Sequence, residues 1–356
     1  MRIEQLTFTR FVAAISIVIF HYGKKSFLFN NEYVSFIFER ANIGVSYFFI
    51  LSGFVMIIAY GNKNIDAIDY LKNRLARIYP IYFLAIVLLI PLKYELFDII
   101  DLLLNIIMLQ SWFPERALTV NYVGWSLSVE IFFYILFPFL LNNLYSKTKL
   151  KFNFIWIVSF WIISQILFHF IMFGIISPKI YSTSDILYHP IMHLNEFLVG
   201  NLAGLFFIDR FQFYRKNYLI FIIIFLLALL LLLKFPIGLN YHNGLMAVIF
   251  IPLILLISSS TDKITKVFCN KGFLFLGEIS FGIYLYQNFV WIIFSDYRMK
   301  KYLHLDKDLD YTSIFMLRLL ALILISAISY LYIEKPMRNF IKRKIGNQNR
   351  NAFAIK

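Results

Sequence analysis

Apolar runs of about 16 to 23 residues, the length that carries a helix across a bilayer, recur along the whole chain. Ten stand out, near residues 6–22, 42–60, 77–93, 123–141, 152–174, 190–208, 218–234, 243–259, 272–295 and 312–333. The stretch from Leu96 to Gln110 is also apolar but carries Asp98, Asp101 and Asn105. It reads as a short re-entrant or interfacial helix near 96–110. The pattern therefore predicts an all-α polytopic membrane protein, with about ten transmembrane helices in one bundle. A transmembrane domain over 1–340 would be followed by a basic cytoplasmic tail over 341–356. The longest polar segments, near 23–41, 296–311 and after Glu334, are too short for an independent core. No internal repeat of the kind common in transporter halves is visible.

Charge placement orients the bundle. With ten spans, Lys and Arg divide between the two sets of alternating loops at about two to one, which favours both termini in the cytoplasm. Composition agrees with a membrane chain: 356 residues, 60% hydrophobic and 19% aromatic, with a mean hydropathy of +0.73. The formal net charge of +14 is scattered over short loops, so positive-inside topology accounts for it and no nucleic-acid partner is expected. The one cysteine, Cys269, excludes an intramolecular disulfide. Its Lys-flanked loop is a poor setting for a thiol nucleophile. The first run ends in His21-Tyr22-Gly23-Lys24-Lys25 without a small-residue cleavage site, so a retained first helix is expected.

Ionisable residues inside apolar runs mark candidate chemistry, because the bilayer core offers them no water. Arg10 and His21 fall within the first run. Eleven residues turn a helix by about 1100° and raise it by about 16 Å, so both would share one face at different depths. An arginine snorkelling to the headgroups and a histidine in the interface would produce the same pattern. Arg74 and Arg77, three apart at the mouth of the third run, could present two guanidinium forks to one polyanion. An ordinary positive-inside flank reads the same way. In Trp125-Ser126-Leu127-Ser128-Val129-Glu130, a carboxylate lies deep in the fourth run, with Ser126 one turn earlier on the same face. Glu130 beside His21 would raise the basicity of the imidazole; a structural Glu bonding two helices together is the alternative. Arg318 would hold an acceptor, pair with Glu130 or snorkel outward. His189 and His193 are one turn apart, but no third ligand is evident, so no metal is expected. Tyr22 and Lys24-Lys25 would line a mouth where a sugar stacks on aromatic rings.

Taken together, these motifs resemble the acyltransferase-3 family of membrane-bound bacterial saccharide O-acyltransferases. The likeness runs from Arg10 and His21 through Ser52-Gly53-Phe54, Arg74-x-x-Arg77 and Trp125 to Glu130. It continues through Asn195 to Gly200, Gly277 to Tyr286 and Glu334-Lys335-Pro336-Met337-Arg338. The resemblance implies transfer of an acyl group, usually acetyl from acetyl-CoA, to a sugar hydroxyl of a surface polysaccharide or its lipid-linked precursor. O-antigen, capsule and exopolysaccharide are all possible glycans. It also implies a multi-pass protein of the bacterial inner membrane, with His21 catalytic and Arg10, Arg74 and Arg77 associated with the acyl-CoA. Glu130 and Ser126 complete the expected catalytic group, as orienting base and oxyanion donor, and Tyr22, Trp125 and Arg318 the acceptor site. Gln287 stands where many members have a histidine, so that position is expected to have no catalytic role. The competing class is a transporter or flippase for an anionic or lipid-linked sugar, gated by Arg10, Glu130 and Arg318.

Overall fold

A computed structural model describes residues 3–61, 63–93, 97–303 and 310–340, so the expected basic tail over 341–356 lies outside the described residues. The chain is helical, with no strand among those residues. In order, the helices are α1 (Gln5–Val18), α2 (Ser35–Glu39), α3 (Ile43–Tyr60), α4 (Ala67–Lys93), α5 (Ile99–Ile106), α6 (Trp125–Phe139), α7 (Leu150–Met172) and α8 (Thr183–Tyr188). Then follow α9 (Pro190–Asp209), α10 (Leu219–Lys234), α11 (Ala247–Ser259), α12 (Lys263–Val267), α13 (Lys271–Ile293), α14 (Asp296–Leu303) and α15 (Tyr311–Ser329). Helices α1, α6 and α15 each continue into a wider π turn, over Ile19–Gly23, Leu140–Tyr145 and Tyr330–Glu334.

Among the described residues, seven helices are long and apolar enough to cross a membrane. The expected count of about ten is not confirmed; three of the ten runs form helices that fall short in length or hydropathy. Helices α10 and α11 are apolar but short. The run read over 243–259 opens instead with a left-handed turn at Asn243 and Gly244, which delays α11 to Ala247. Helix α13 is long enough, but Lys271, Glu278, Gln287 and Asn288 interrupt its apolar run. The polar-studded stretch near 96–110 is a short helix, α5, capped by Asp98, whose side chain accepts from the Ile100 amide. Its polarity is inverted. Ile99, Ile100 and Leu103 face outward, while Asp101 and Asn105 are buried. Arg116 satisfies Asp101 at 2.8 Å and Asp98 at 3.2 Å. The apolar face is thus left for lipid and the charges for the protein.

Helices α1, α3, α4, α6, α9 and α13 form the packed centre, with α7 against α9, α15 against α13, and α10 against α11. Helix α3 lies lengthwise on α9, where two glycines meet. A Cβ on Gly53 would collide with the Phe197 carbonyl, and one on Gly200 with the Ile50 carbonyl. Small residues are what allow membrane helices to approach this closely. Gly53→Ala should therefore force the helices apart and destabilise the protein by about 1–3 kcal/mol, the usual cost of overpacking. A lowered melting temperature in detergent is the expected reading. An unchanged one would show that the helices do not cross at this separation.

Candidate active site

Two adjoining cavities open among the described residues at the centre of the bundle. The larger, of about 530 Å³, lies between α1, α3, α4, α6, α13 and the end of α15, and its walls include Arg10, Arg74, Arg77, Glu130 and Glu334. The three arginines expected to work together thus do converge. Arg74 is buried among aromatic rings, its guanidinium 5.1 Å from the Tyr60 ring, 5.4 Å from Tyr70 and 5.9 Å from Tyr134. Ring faces stabilise the cation, yet Arg74 Nε has no hydrogen-bond partner among the described residues. Glu130 accepts hydrogen bonds from Tyr134 and, at 3.3 Å, from Ser52.

His21 faces the smaller cavity, of about 190 Å³, whose walls include Tyr122, Trp125, Tyr188 and His242. It belongs to the π turn that ends α1. A wider turn shifts the phase of the helix, so the straight-helix projection from Arg10 to His21 does not hold to the end, and the two side chains enter different cavities. The expected pairing of His21 with Glu130 does not form. The partner of His21 is Gln287, with Nδ1 2.7 Å from Oε1.

That contact fixes the tautomer. Gln287 is fully buried, and its Nε2 donates to the Tyr284 carbonyl at 2.7 Å. Its Oε1 must then face the imidazole, where it also accepts from the Tyr122 hydroxyl at 3.3 Å. A carboxamide oxygen can only accept, so Nδ1 of His21 carries the proton and Nε2 keeps a free lone pair. Gln287, expected to have no catalytic role, is thus the hydrogen-bond partner of His21. Tyr122 packs edge-on against the imidazole with centroids 4.9 Å apart.

Val45 and Tyr284 stand between the two cavities. The Tyr284 hydroxyl donates to Ser126 Oγ at 2.9 Å and reaches the Val123 carbonyl at 3.1 Å. Ser126 opens to the larger cavity and Trp125, its neighbour in sequence, to the smaller. Two hydroxyls therefore stand where the cavities adjoin.

Other expected residues sit elsewhere. Arg318 is buried; among the described residues it does not pair with Glu130, and it lines neither of these two cavities. It donates to the Phe294 carbonyl at 2.7 Å and to Asp296 at 2.5 Å, tying α15 to the junction of α13 and α14. Tyr22 lies one layer behind the small cavity, stacked 4.2 Å from Trp291 and bonded to the Tyr122 hydroxyl at 2.9 Å. His189 caps α9 by accepting from the Ile191 amide, whereas His193 pairs with Glu196 at 2.7 Å. Among the described residues, no three His, Cys, Asp or Glu side chains converge as metal ligands.

Comparison with known proteins agrees with the motifs. The chain is 24% identical to O-acetyltransferase OatA of Staphylococcus aureus, over 97% of this chain and 60% of that protein. It is 28% identical to acyltransferase MdmB of Streptomyces mycarofaciens, over 39% of each. It is 29% identical to the exopolysaccharide production protein ExoZ of Rhizobium meliloti, over 26% of this chain and 32% of that protein. The matches thus span about 60% of the length of OatA and less than half of MdmB and ExoZ. No solved structure matches. The family model of the acyltransferase-3 domain matches residues 3–334, and with that match over nearly its whole length the chain belongs to the acyltransferase-3 family.

Proposed function

We propose that the protein transfers an acyl group, acetyl in the simplest case, from acetyl-CoA to a hydroxyl of a surface glycan or its lipid-linked precursor. The observation that carries this reading is the division of labour between two adjoining cavities. Arginines that suit a polyanion line one, and a histidine with a free Nε2 lines the other. The CoA phosphates would engage Arg74 and Arg77, with Arg10 beside the pantetheine arm, and the thioester would reach Ser126 and Tyr284. Arginine is the usual partner of phosphate for its charge and its planar fork. His21 Nε2 removes the acceptor's hydroxyl proton as that oxygen attacks the acyl carbonyl. The C–O bond forms, the C–S bond breaks, and the CoA thiolate leaves and takes up a proton. A hydroxyl at the partition donates to the oxyanion. In a variant, His21 Nε2 first attacks the acyl carbonyl, forming an N–C bond as the C–S bond breaks and the thiolate leaves. The acceptor oxygen then forms its C–O bond as that N–C bond breaks, and its proton passes to the freed Nε2. Glu130, held by Tyr134 and Ser52, balances the arginines of the larger cavity. The loop charges favour an arginine cavity open to the cytoplasm, where CoA is, in the bacterial inner membrane with both termini inside. The name of ExoZ points to a polysaccharide acceptor, and that of OatA to acetyl as the group transferred to oxygen.

The test is release of CoA thiol from acetyl-CoA by the purified protein in lipid nanodiscs, with and without host cell-surface glycan. Acceptor-dependent release, with acetate recovered on the glycan, is expected. Movement of glycan across a vesicle membrane without CoA release would instead identify a flippase.

A further inference from the structure

The wall of the small cavity opposite α1 comes from the loop between α10 and α11, which is braced far more heavily than a connecting loop requires. Its carbonyl at Asn243 accepts from Gln165 Nε2 at 2.7 Å and from Asn195 Nδ2 at 3.2 Å. The Gly244 carbonyl accepts from Trp161 Nε1 at 2.9 Å. Asn243 and Gly244 both adopt positive φ, of 65° and 101°. Gly244 has a second reason to lack a side chain, since a Cβ there would overlap the Asn195 carboxamide. Non-glycine residues seldom hold this backbone unless the surroundings compel it.

Behind the loop stands a buried polar chain that the transfer chemistry does not use. Glu196 and His193 are fully buried and joined at 2.7 Å. His193 Nε2 lies 3.3 Å from the Asn243 carboxamide nitrogen, and the Asn243 carboxamide oxygen lies 2.8 Å from His242 Nδ1. Buried carboxylates are costly and persist only when well partnered. Here the chain ends on His242, whose ring lines the small cavity and packs 5.7 Å from Trp125. With Nδ1 committed to Asn243, Nε2 makes no hydrogen bond among the described residues. Burial first, and the neighbouring His193 second, push the His242 imidazole down to about 4, so it is neutral near pH 7 and Nε2 is an acceptor.

We propose that the small cavity is the acceptor subsite for one pyranose ring, and that His242 Nε2 accepts a hydrogen bond from a ring hydroxyl other than the one acylated. This rests on the acyl-transfer reading only in naming the sugar as acceptor. The space of about 190 Å³ is below the range of ordinary ligand sites, about 300–1,000 Å³, and suits a single small ring. Tyr122 and Tyr188 supply the aromatic walls that sugars favour, and Asn42 and Asn240 supply further polar groups. His21 on the opposite wall would meet the reacting hydroxyl. The braced loop thereby sets which sugar is accepted.

The test is binding of methyl pyranosides (glucoside, galactoside and N-acetylglucosaminide) to the full chain in nanodiscs, read by tryptophan fluorescence, with acceptor KM measured in parallel. Saturable binding of at least one pyranoside is expected. His242→Asn keeps a donor for Asn243 but removes Nε2, and should weaken binding and raise acceptor KM about tenfold, the loss of one hydrogen bond. His242→Gln replaces an acceptor near the Nε2 position and should recover much of it. Leu118→Trp, at a wall position that is 44% exposed, should block the cavity without touching the buried chain. No pyranoside binding by the wild type would overturn the proposal, as would binding that survives both His242→Asn and Leu118→Trp. Pyranoside binding that weakens as predicted, in a protein that releases no CoA, would uphold the subsite and refute acyl transfer.

Discussion

His21→Ala is expected to lower the turnover of acyl transfer by about a thousandfold, within the range of a general base, while leaving KM for acetyl-CoA and acceptor nearly unchanged. The arginine cavity proposed for the donor does not include His21 in its lining, so removal of the imidazole should not disturb the arginines. Gln287→Leu should lower turnover by about a hundredfold with KM again unchanged, because the imidazole remains but loses the partner that fixes its tautomer and aim. The double variant should be no slower than His21→Ala. A residue that acts only through another has nothing left to contribute once that other is gone. Independent, multiplying losses would show that Gln287 supports the fold and does not position His21. If CoA release proceeds at the wild-type rate in His21→Ala, the assignment of the base to the first helix fails. Gln287→Glu keeps an acceptor oxygen toward Nδ1, and should recover activity that Gln287→Leu loses.

What was legible in the sequence and what was not divides along a physical line. The long apolar runs are visible because a bilayer demands them, and Arg10, His21, Arg74, Arg77 and Glu130 are visible because a charge in such a run is costly. Their grouping is only partly visible. Arg10 and the Arg74–Arg77 pair converge as expected, since charges of one sign near one depth have few other places to go. His21 departs because a π turn leaves no periodic signature to shift the projection. Gln287 and Tyr284 are neutral polar residues in an aromatic helix, and nothing local separates a catalytic support from a packed side chain. The His21–Gln287 contact joins positions 266 apart. Arg318 stood out as a membrane charge, but its partner Asp296 lies in another helix and at an exposed site, so the local pattern could not distinguish a structural tie from a substrate clamp. His242 is hidden for a further reason. It sits just before the run read over 243–259, where nothing in the local pattern sets it apart, and only the buried chain from Glu196 and the left-handed turn at Asn243 and Gly244 show how it is placed.

Arg74→Met should raise KM for acetyl-CoA by about a hundredfold while leaving turnover at saturating donor close to wild type. The argument starts from the surroundings of the side chain. Arg74 is enclosed by Tyr60, Tyr70 and Tyr134, and its Nε lacks a hydrogen-bond partner among the described residues. Removing a buried charge that was paired with a carboxylate would leave the carboxylate stranded, at a cost of about 3–5 kcal/mol in stability. Arg74 is held mainly by rings, and Glu130 keeps Tyr134 and Ser52, so Arg74→Met should fold with little loss. The effect then falls on the incoming anion. A charge-assisted hydrogen bond made to phosphate in both ground and transition states changes KM and not turnover. Arg74→Lys should recover only part of the loss, since an ammonium lacks the planar fork and stacks less well on the rings. The decisive comparison uses acetyl-pantetheine, which has the thioester but none of the phosphates. The wild type should strongly prefer acetyl-CoA, and Arg74→Met should narrow that preference by the same factor as its rise in KM. If Arg74→Met weakened both donors equally, the arginine would act on the arm or the fold, and the large cavity would lose its claim to the CoA phosphates.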